Sequence, residues 1–318
     1  MGILKLILRR LALGVLTLLA VSLAVFALTQ ILGDPARAVL GRQATPGNVA
    51  GFRAKFGLDR PLISQYGRWL KGLVTGEPGV SYSNGRPIMD FLGDRLKNSL
   101  FLMLLGSLIS IPLSLAIGSY AALRRDRAFD TSTSVLSLVL AAMPEFVVGA
   151  LVTVLLATNV WHLLPPTVRI RPHHAPWSDL KGLALPLITL TLAVTPYVSR
   201  VVRAAMIEVL ESDYVEMARL KGLPERTVLW RHATPNAIGP TFQVMALNVA
   251  YMAAGVVVVE SLFNFPGIGL AMRDGVRDHN IPVVQFLSMF ISTIYVVSNL
   301  AADIGTILVT PRLRTRLS

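Results

Sequence analysis

The sequence predicts an all-α polytopic membrane protein: six transmembrane helices, a polar helix-turn-helix between the fourth and fifth, and a large loop after the first. Three observations carry this. Of 318 residues, 53% are hydrophobic and only 15% are charged, and the mean hydropathy is +0.60, far more apolar than a soluble domain. Uncharged runs long enough to cross about 30 Å of hydrocarbon recur along the chain. The basic residues collect in alternate short loops, which sets an orientation.

Span 1 covers 11–33, follows Arg9-Arg10 and carries no charge. It is too long for the apolar core of a cleaved signal peptide, and no small-x-small cleavage site follows. The loop 34–97 is polar and rich in Gly and Pro. Within it Leu62, Ile63, Tyr66, Trp69, Leu70, Leu73 and Val74 follow a helical period, which predicts an amphipathic helix at the membrane surface or against the spans. Span 2 covers 98–123 and is closed by Arg124-Arg125-Asp126-Arg127. Span 3, 131–161, is interrupted only by Glu145 in the run Met143-Pro144-Glu145-Phe146. Span 4, 182–206, contains Pro186 and Pro196, where a kink is expected. Span 5 covers 238–259 and span 6 covers 282–309, with an outer loop 260–281 between them and a basic tail, Arg312, Arg314 and Arg316, at the end.

Arg124, Arg125, Arg127, Arg200, Arg203, Arg219, Lys221, Arg226 and Arg231 lie on the same side as the two basic termini. The short loops opposite hold only Arg169, Arg171, Lys181, Arg273 and Arg277. The richer side is read as cytoplasmic. The ten Lys and Arg of 34–97 are set aside, because loops of about 60 residues or more translocate largely regardless of charge. Both termini are therefore expected inside.

The formal net charge of +12 does not point to nucleic acid, since the cations flank spans and form no aromatic-interleaved stripe. The absence of Cys removes disulfides, thiolate metal sites and a cysteine nucleophile. There is no Gly-x-x-x-x-Gly-Lys-Ser/Thr phosphate cradle, so the chain is not expected to hydrolyse ATP. No His-x-x-x-His or His-Glu-x-x-His helix face is present to hold zinc, and no Ser/His/Asp set suggests a membrane hydrolase. No catalytic residue, metal or cofactor is therefore expected in this chain.

Between spans 4 and 5 lies a polar island, 211–236. Asp213 is read as an N-cap with Glu216 at N3, Arg219 and Lys221 sit in the last turn, and Gly222 ends the helix. Pro224 is read as opening a second short helix, followed by Glu225. Tyr214, Met217, Leu220, Leu223, Val228 and Leu229 have no lipid to enter there, so a protein partner is implied.

Here a resemblance becomes specific. Glu216-Met217-Ala218, then Gly222, then Pro235 resembles the cytoplasmic EAA loop of the membrane subunits of binding-protein-dependent ABC importers. Met217 replaces the usual Ala, and the ending reads His232-Ala233-Thr234-Pro235. That ending, with Asn236-Ala237 and Pro240, resembles the peptide/nickel branch, which includes dipeptide and oligopeptide permeases. Gly33-Asp34-Pro35, Leu58-Asp59-Arg60-Pro61 with Gln65-Tyr66, and Gly76-Glu77-Pro78-Gly79-Val80-Ser81 resemble that branch's outer loop, with Glu77 in place of the more frequent Asp. Glu260, Phe263, Pro266, Gly267 and Gly269 match its pattern Glu-x-x-Phe-x-x-Pro-Gly-x-Gly.

The resemblance implies one ABC-importer transmembrane domain over 1–318, in which Tyr214, Glu216, Met217, Ala218, Leu220, Gly222, Leu223 and Pro224 contact an ATPase subunit through a coupling helix. It implies a second homologous permease subunit in a heterodimer, two ATP-binding subunits carrying ATP and Mg²⁺, and an extracytoplasmic binding protein that delivers di- or oligopeptides. Nickel chelates and glutathione are the alternative solutes. An ion-driven secondary transporter is the rival class, but neither inverted halves nor paired broken helices are visible. Glu145 is placed near the middle of span 3, where an ionised carboxylate costs about 2.5–3.5 kcal/mol and is expected to face a cavity or partner. Met143, Pro144, Glu145 and Phe146 are read as a translocation path or gate, with pairing of Glu145 to the sister subunit as the alternative.

Overall fold

The computed structural model describes residues 3–31, 33–171 and 173–309, with side chains placed except at 3, 4, 6, 238–240 and 307–309. The basic tail (Arg312, Arg314 and Arg316) and the side chain of Pro240 lie outside the described residues. Among them the chain forms only helices and loops, apart from one isolated bridge between Val80 and Pro87. In order these are α1 (Ile3–Ile31), α2 (Pro35–Leu40), α3 (Pro46–Phe56), α4 (Leu62–Thr75), α5 (Ile88–Leu123), α6 (Ala128–Ala142) and α7 (Glu145–Thr153). There follow α8 (Leu180–Leu210), α9 (Asp213–Leu220), α10 (Glu225–Thr227), α11 (Thr234–Leu262), α12 (Ile268–Arg277) and α13 (Ile281–Val309).

Among the described residues five helices, α1, α5, α8, α11 and α13, are long and apolar enough to cross a membrane. Together α6 and α7, the latter extended by a π-helical turn over Val154–Thr158, make a sixth candidate that is bent by 109° at its break. The break has a local cause. Met143 precedes Pro144, whose ring disfavours helical backbone in its neighbour, and Met143 is extended, at φ −90° and ψ 131°.

Helix α8 is central, packing on α5, α6, α7 and α11, while α11 also packs on α13 and α13 on α1. The polarity is that of a protein in lipid. On α5 the outward face carries Leu104 and Leu108, 67% and 71% exposed, whereas Ser99, Gly106, Ser107, Ser110, Ser114 and Gly118 point inward. Small residues let helix backbones approach where lipid gives no hydrophobic drive for association. At Gly118 the approach is tight: a Cβ there would stand 2.8 Å from the Val202 Cβ of α8.

Helix α5 begins at Ile88, not at residue 98 where span 2 was expected to open. Asp90, Asp94, Arg95 and Lys97 make 88–97 read as loop, but Ile88, Leu92 and Leu96 recur on one helical face and bury themselves against Ile268, Val283 and Leu287. The predicted amphipathic helix is α4. Tyr66 and Trp69 turn inward onto Phe26 of α1, with ring centroids 5.3 and 5.8 Å away. Leu62, Ile63 and Val74 of the same pattern are exposed.

Candidate functional site

Three regions singled out by the sequence lie at different levels of one seam formed by α7, α8 and α11.

At one end, α9 follows α8 after a short turn. Its N-cap is Ser212, not Asp213, and the Ser212 hydroxyl donates backward to the Val209 carbonyl at 2.5 Å. Glu216 is therefore one residue beyond N3 and makes no capping box. Gly222 has φ +73° and ends the helix as expected. Pro224 precedes α10 as its cap, at ψ 140°, and does not occupy its first turn. No second separate short helix forms, because α10 runs through a π-helical segment, Val228–Ala233, into α11. Arg219 donates to both Glu225 oxygens across the turn, at 2.7 and 3.3 Å. These bonds hold the Glu225 carboxyl below the usual range and raise the Arg219 guanidinium.

The helix has two faces. Val215 and Ala218 are buried against Val228, so Ala218 and Val228 belong to an internal cluster and are not offered to a partner. Outward lie Tyr214, Glu216, Met217, Leu220 and Leu223, with Leu220 75% exposed, and Gly222 and Pro224 are exposed beside them. Trp230, 70% exposed, adds an aromatic to this end that the sequence reading did not single out.

Midway along the seam, Glu145 is the first residue of α7 and does not sit in the middle of a continuous helix; it lies in the first turn, at the positive end of the new helix. Gly255 of α11 faces it directly, and a Cβ built there would stand 2.6 Å from Oε2 and 2.7 Å from Oε1. No hydrogen bond or ion pair to the Glu145 carboxylate is present among the described residues. Met143 packs on the buried cluster around Val148 and Val152, whereas Phe146 is exposed. One turn from Gly255 on α11, Tyr251 meets Tyr197 of α8 with ring centroids 6.1 Å apart, and both rings are largely exposed. The exposed tyrosine pair thus lies one turn along α11 from the glycine that faces the half-buried Glu145. Tyr197, Tyr251 and Gly255 went unnoticed in the sequence because each is unremarkable within its own span.

At the far end, Glu260 is fully buried at the last turn of α11. Its Oε1 accepts from the Ser99 hydroxyl at 2.5 Å and its Oε2 from the Gly269 N–H at 2.6 Å, while Ser99 Oγ accepts from the Ile268 N–H at 2.8 Å. Asn98 donates to the Pro266 carbonyl at 2.8 Å. The glycines are there for space: a Cβ on Gly267 would collide with the Glu260 carboxylate, and one on Gly269 with the backbone of Val257. Phe263 and Phe265 fill the interior beneath. The five motif residues therefore form one staple that returns the chain from α11 into α12 and pins it to α5.

Two further polar links were not anticipated. Arg203 of α8 donates to both oxygens of Asp130 in α6, at 2.5 and 2.6 Å, and Asp130 is 3% exposed. Asn280, just before α13, accepts from the Tyr82 N–H at 3.0 Å and donates to Ser81 at 2.7 Å, tying the first long loop to the bundle.

Several apolar spans with serines inside and leucines outside define a multi-pass membrane protein. Residues 114–315 match the family described as binding-protein-dependent transport system inner membrane component, and residues 3–103 match its N-terminal part. The chain belongs to this family, as an ABC importer permease of the peptide branch. It is 33% identical over 310 residues to a probable peptide ABC transporter permease protein of Sinorhizobium fredii, covering 97% of this chain and 98% of that one. A glutathione transport system permease protein of Salmonella paratyphi A is 31% identical, with 97% and 98% covered. A dipeptide transport system permease protein of Alkalihalophilus pseudofirmus is 28% identical, with 96% and 98% covered.

Proposed function

We propose that this chain forms half of the translocation path of an ATP-driven importer of di- or oligopeptides, paired with a second homologous permease subunit. Two ATP-binding subunits, carrying the ATP and Mg²⁺, dock on the α9 end, and an extracytoplasmic binding protein delivers solute at the opposite end. Both termini are then cytoplasmic. The observation that carries this reading is the outward row Tyr214, Met217 and Leu220 on α9, with Leu223 just beyond its glycine stop, none of them covered by the chain itself. Exposed apolar side chains gathered in this way mark a protein contact. ATP-driven movement of the docked subunits displaces α9, and α8 and α11, which flank it directly in the chain, shift between inward- and outward-facing arrangements.

On this reading Met143, Pro144, Glu145 and Phe146 form a gate at the break between α6 and α7. Glu145 supplies a negative site for the cationic amino end of a peptide at membrane depth, where an unpaired carboxylate is otherwise costly. The glutathione permease relative favours a second solute, a tripeptide that also carries a free ammonium group. The test is to purify the chain with its co-expressed partners and assay which binding-protein-delivered solute stimulates ATP hydrolysis. Peptides with a free amino end are expected to do so, N-acetylated ones less, and Glu145→Gln is expected to abolish that difference without dispersing the complex. Equal stimulation by both peptide forms in the wild type removes Glu145 from solute recognition.

A further inference from the structure

At the end of the bundle opposite α9, residues of the 34–97 segment close over the ends of α1 and α13 and leave a cavity of about 300 Å³, large enough for a small polar group. Lys55, Arg68, Gln30, Gln285 and Tyr82 border it, with Glu77 as the one carboxylate in the lining. Two cations thus face one anion. Among the described residues no carboxylate pairs with Lys55 or Arg68. The Arg68 Nη2 donates to the Gly57 carbonyl at 3.1 Å, which orients the guanidinium and leaves donors over. Trp69, also in the lining, has its indole N–H buried without a hydrogen-bond partner. Burial pushes the Tyr82 phenol up to about 12, so it stays a donor at neutral pH. Lys55, Arg68, Trp69 and Tyr82 thus bring donors to the lining, against the single carboxylate of Glu77.

The cavity lies beside the last turns of α1, which give Phe26 and Gln30 to its lining, and the contact of α1 with α4 continues inward from there. The Ser22 hydroxyl of α1 hydrogen-bonds Tyr66 of α4 at 2.8 Å, and Ser22 lies about 13 Å along the helix axis from its end at Ile31. On its other side α4 presents Ile63 and Val74, 83% and 82% exposed, with Leu62 beside Ile63. A helix with aromatic residues turned inward and aliphatic ones outward at this level lies in the membrane interface. Its apolar edge and the donor-rich cavity adjoin.

We propose that this cavity binds the phosphate of an anionic phospholipid headgroup, with Lys55 and Arg68 as the charged ligands and the Trp69 N–H and Tyr82 hydroxyl as neutral donors. Charge-assisted hydrogen bonds from paired cations suit a phosphodiester, and a lipid so held fixes the loop segment to the span ends by the same surface that Tyr66 and Trp69 use.

The test takes the intact transporter complex in detergent and measures, by native mass spectrometry, retention of phosphatidylglycerol and of phosphatidylcholine offered equally. Phosphatidylglycerol is expected to be retained preferentially, and Lys55→Gln to cut that preference about fivefold, the factor one basic residue contributes near an anionic surface. Among the described residues the Lys55 ammonium makes no hydrogen bond or ion pair and lies over the Phe56 ring at 5.3 Å, so an unchanged melting temperature in Lys55→Gln separates ligand loss from misfolding; Arg68→Gln alone does not, because Arg68 also holds Gly57. Inorganic phosphate is the second probe. If it displaces the lipid and itself raises the melting temperature in wild type but not in Lys55→Gln, the same phosphate chemistry serves a free anion. If it does neither while the lipid preference stands, the source is the membrane. Equal retention of both lipids with no phosphate effect overturns the proposal, as does a lipid preference or phosphate shift that Lys55→Gln leaves undiminished.

Discussion

Gly255 of α11 lies flush against the Glu145 carboxylate of α7, so closely that even one methyl group at position 255 would stand 2.6 Å from Oε2. The break in the α6–α7 span is thereby keyed to α11, the helix that continues from the α9 turn. One helix, α11, therefore carries both the continuation of the α9 turn and the glycine against Glu145.

That contact gives a double-mutant test. Gly255→Ala is expected to destabilise by about 1–3 kcal/mol, the cost of an added methyl in a close-packed site, seen as a lowered melting temperature of the detergent-solubilised complex. Glu145→Ala in the same chain removes the obstructing carboxylate and is expected to restore most of the loss, giving a clear interaction energy between neighbours. Strictly additive effects would show that the two residues do not touch.

The staple at Glu260 makes a stability prediction that is independent of transport. Glu260→Ala strands the Gly269 N–H and the Ser99 hydroxyl inside the protein, and each stranded buried partner costs about 1–3 kcal/mol. Gly267→Ala forces a Cβ into the same carboxylate. Both variants are expected to melt well below wild type, and Glu260→Gln, which keeps one acceptor, between them and wild type. A Glu260→Ala variant that melts like wild type would show that the staple is not what holds α12.

How far the site could be read from sequence depended on how far apart its partners lie. Apolar runs marked the spans because lipid selects on local composition, and the effect of Pro144 on Met143 is equally local, although span 3 was read as a single run. The opening of α5 at Ile88 was hidden by four charged residues, since the burial of Ile88 and Leu92 depends on α12 and α13 far along the chain. Glu260 was recognisable by pattern, yet its carboxylate role depends on Ser99, 161 residues away. Asp130 and Arg203 are 73 residues apart and looked like ordinary flanking charges. On α9 the helix and its glycine stop were legible, but whether Ala218 and Val228 faced outward depended on the unforeseen continuity of α10 with α11.

The α9 turn separates backbone strain from docking. A Cβ at Gly222 would meet no atom within 4 Å, so Gly222→Val is expected to act through its φ of +73° alone, at about 1–2 kcal/mol. Leu220→Asp changes an exposed side chain and is expected to leave melting unaltered while releasing the ATP-binding subunits on size-exclusion chromatography. Lowering pH through the depressed Glu225 value removes the Arg219 bond and is expected to loosen the turn slightly. The pair is roughly half exposed, so its worth stays below about 1 kcal/mol. Retention of the ATP-binding subunits by Leu220→Asp would move the docking surface elsewhere.

Orientation is open to labelling because the chain has no native Cys. Ser81 is a poor probe, being fully buried beneath Asn280, whereas Ala50 on α3 and Lys221 after α9 are exposed. Ala50→Cys is expected to react with an impermeant thiol reagent in intact cells, and Lys221→Cys only after permeabilisation. The reverse pattern would invert the topology.

The most direct measurement is peptide uptake by proteoliposomes containing the purified permease pair with its ATP-binding subunits, supplied with peptide-loaded binding protein on the face opposite α9. Accumulation is expected only with ATP and Mg²⁺ on the α9 face, and to be lost in Leu220→Asp. Accumulation driven by a proton or sodium gradient without ATP would contradict an ATP-driven permease and place the chain among ion-coupled transporters.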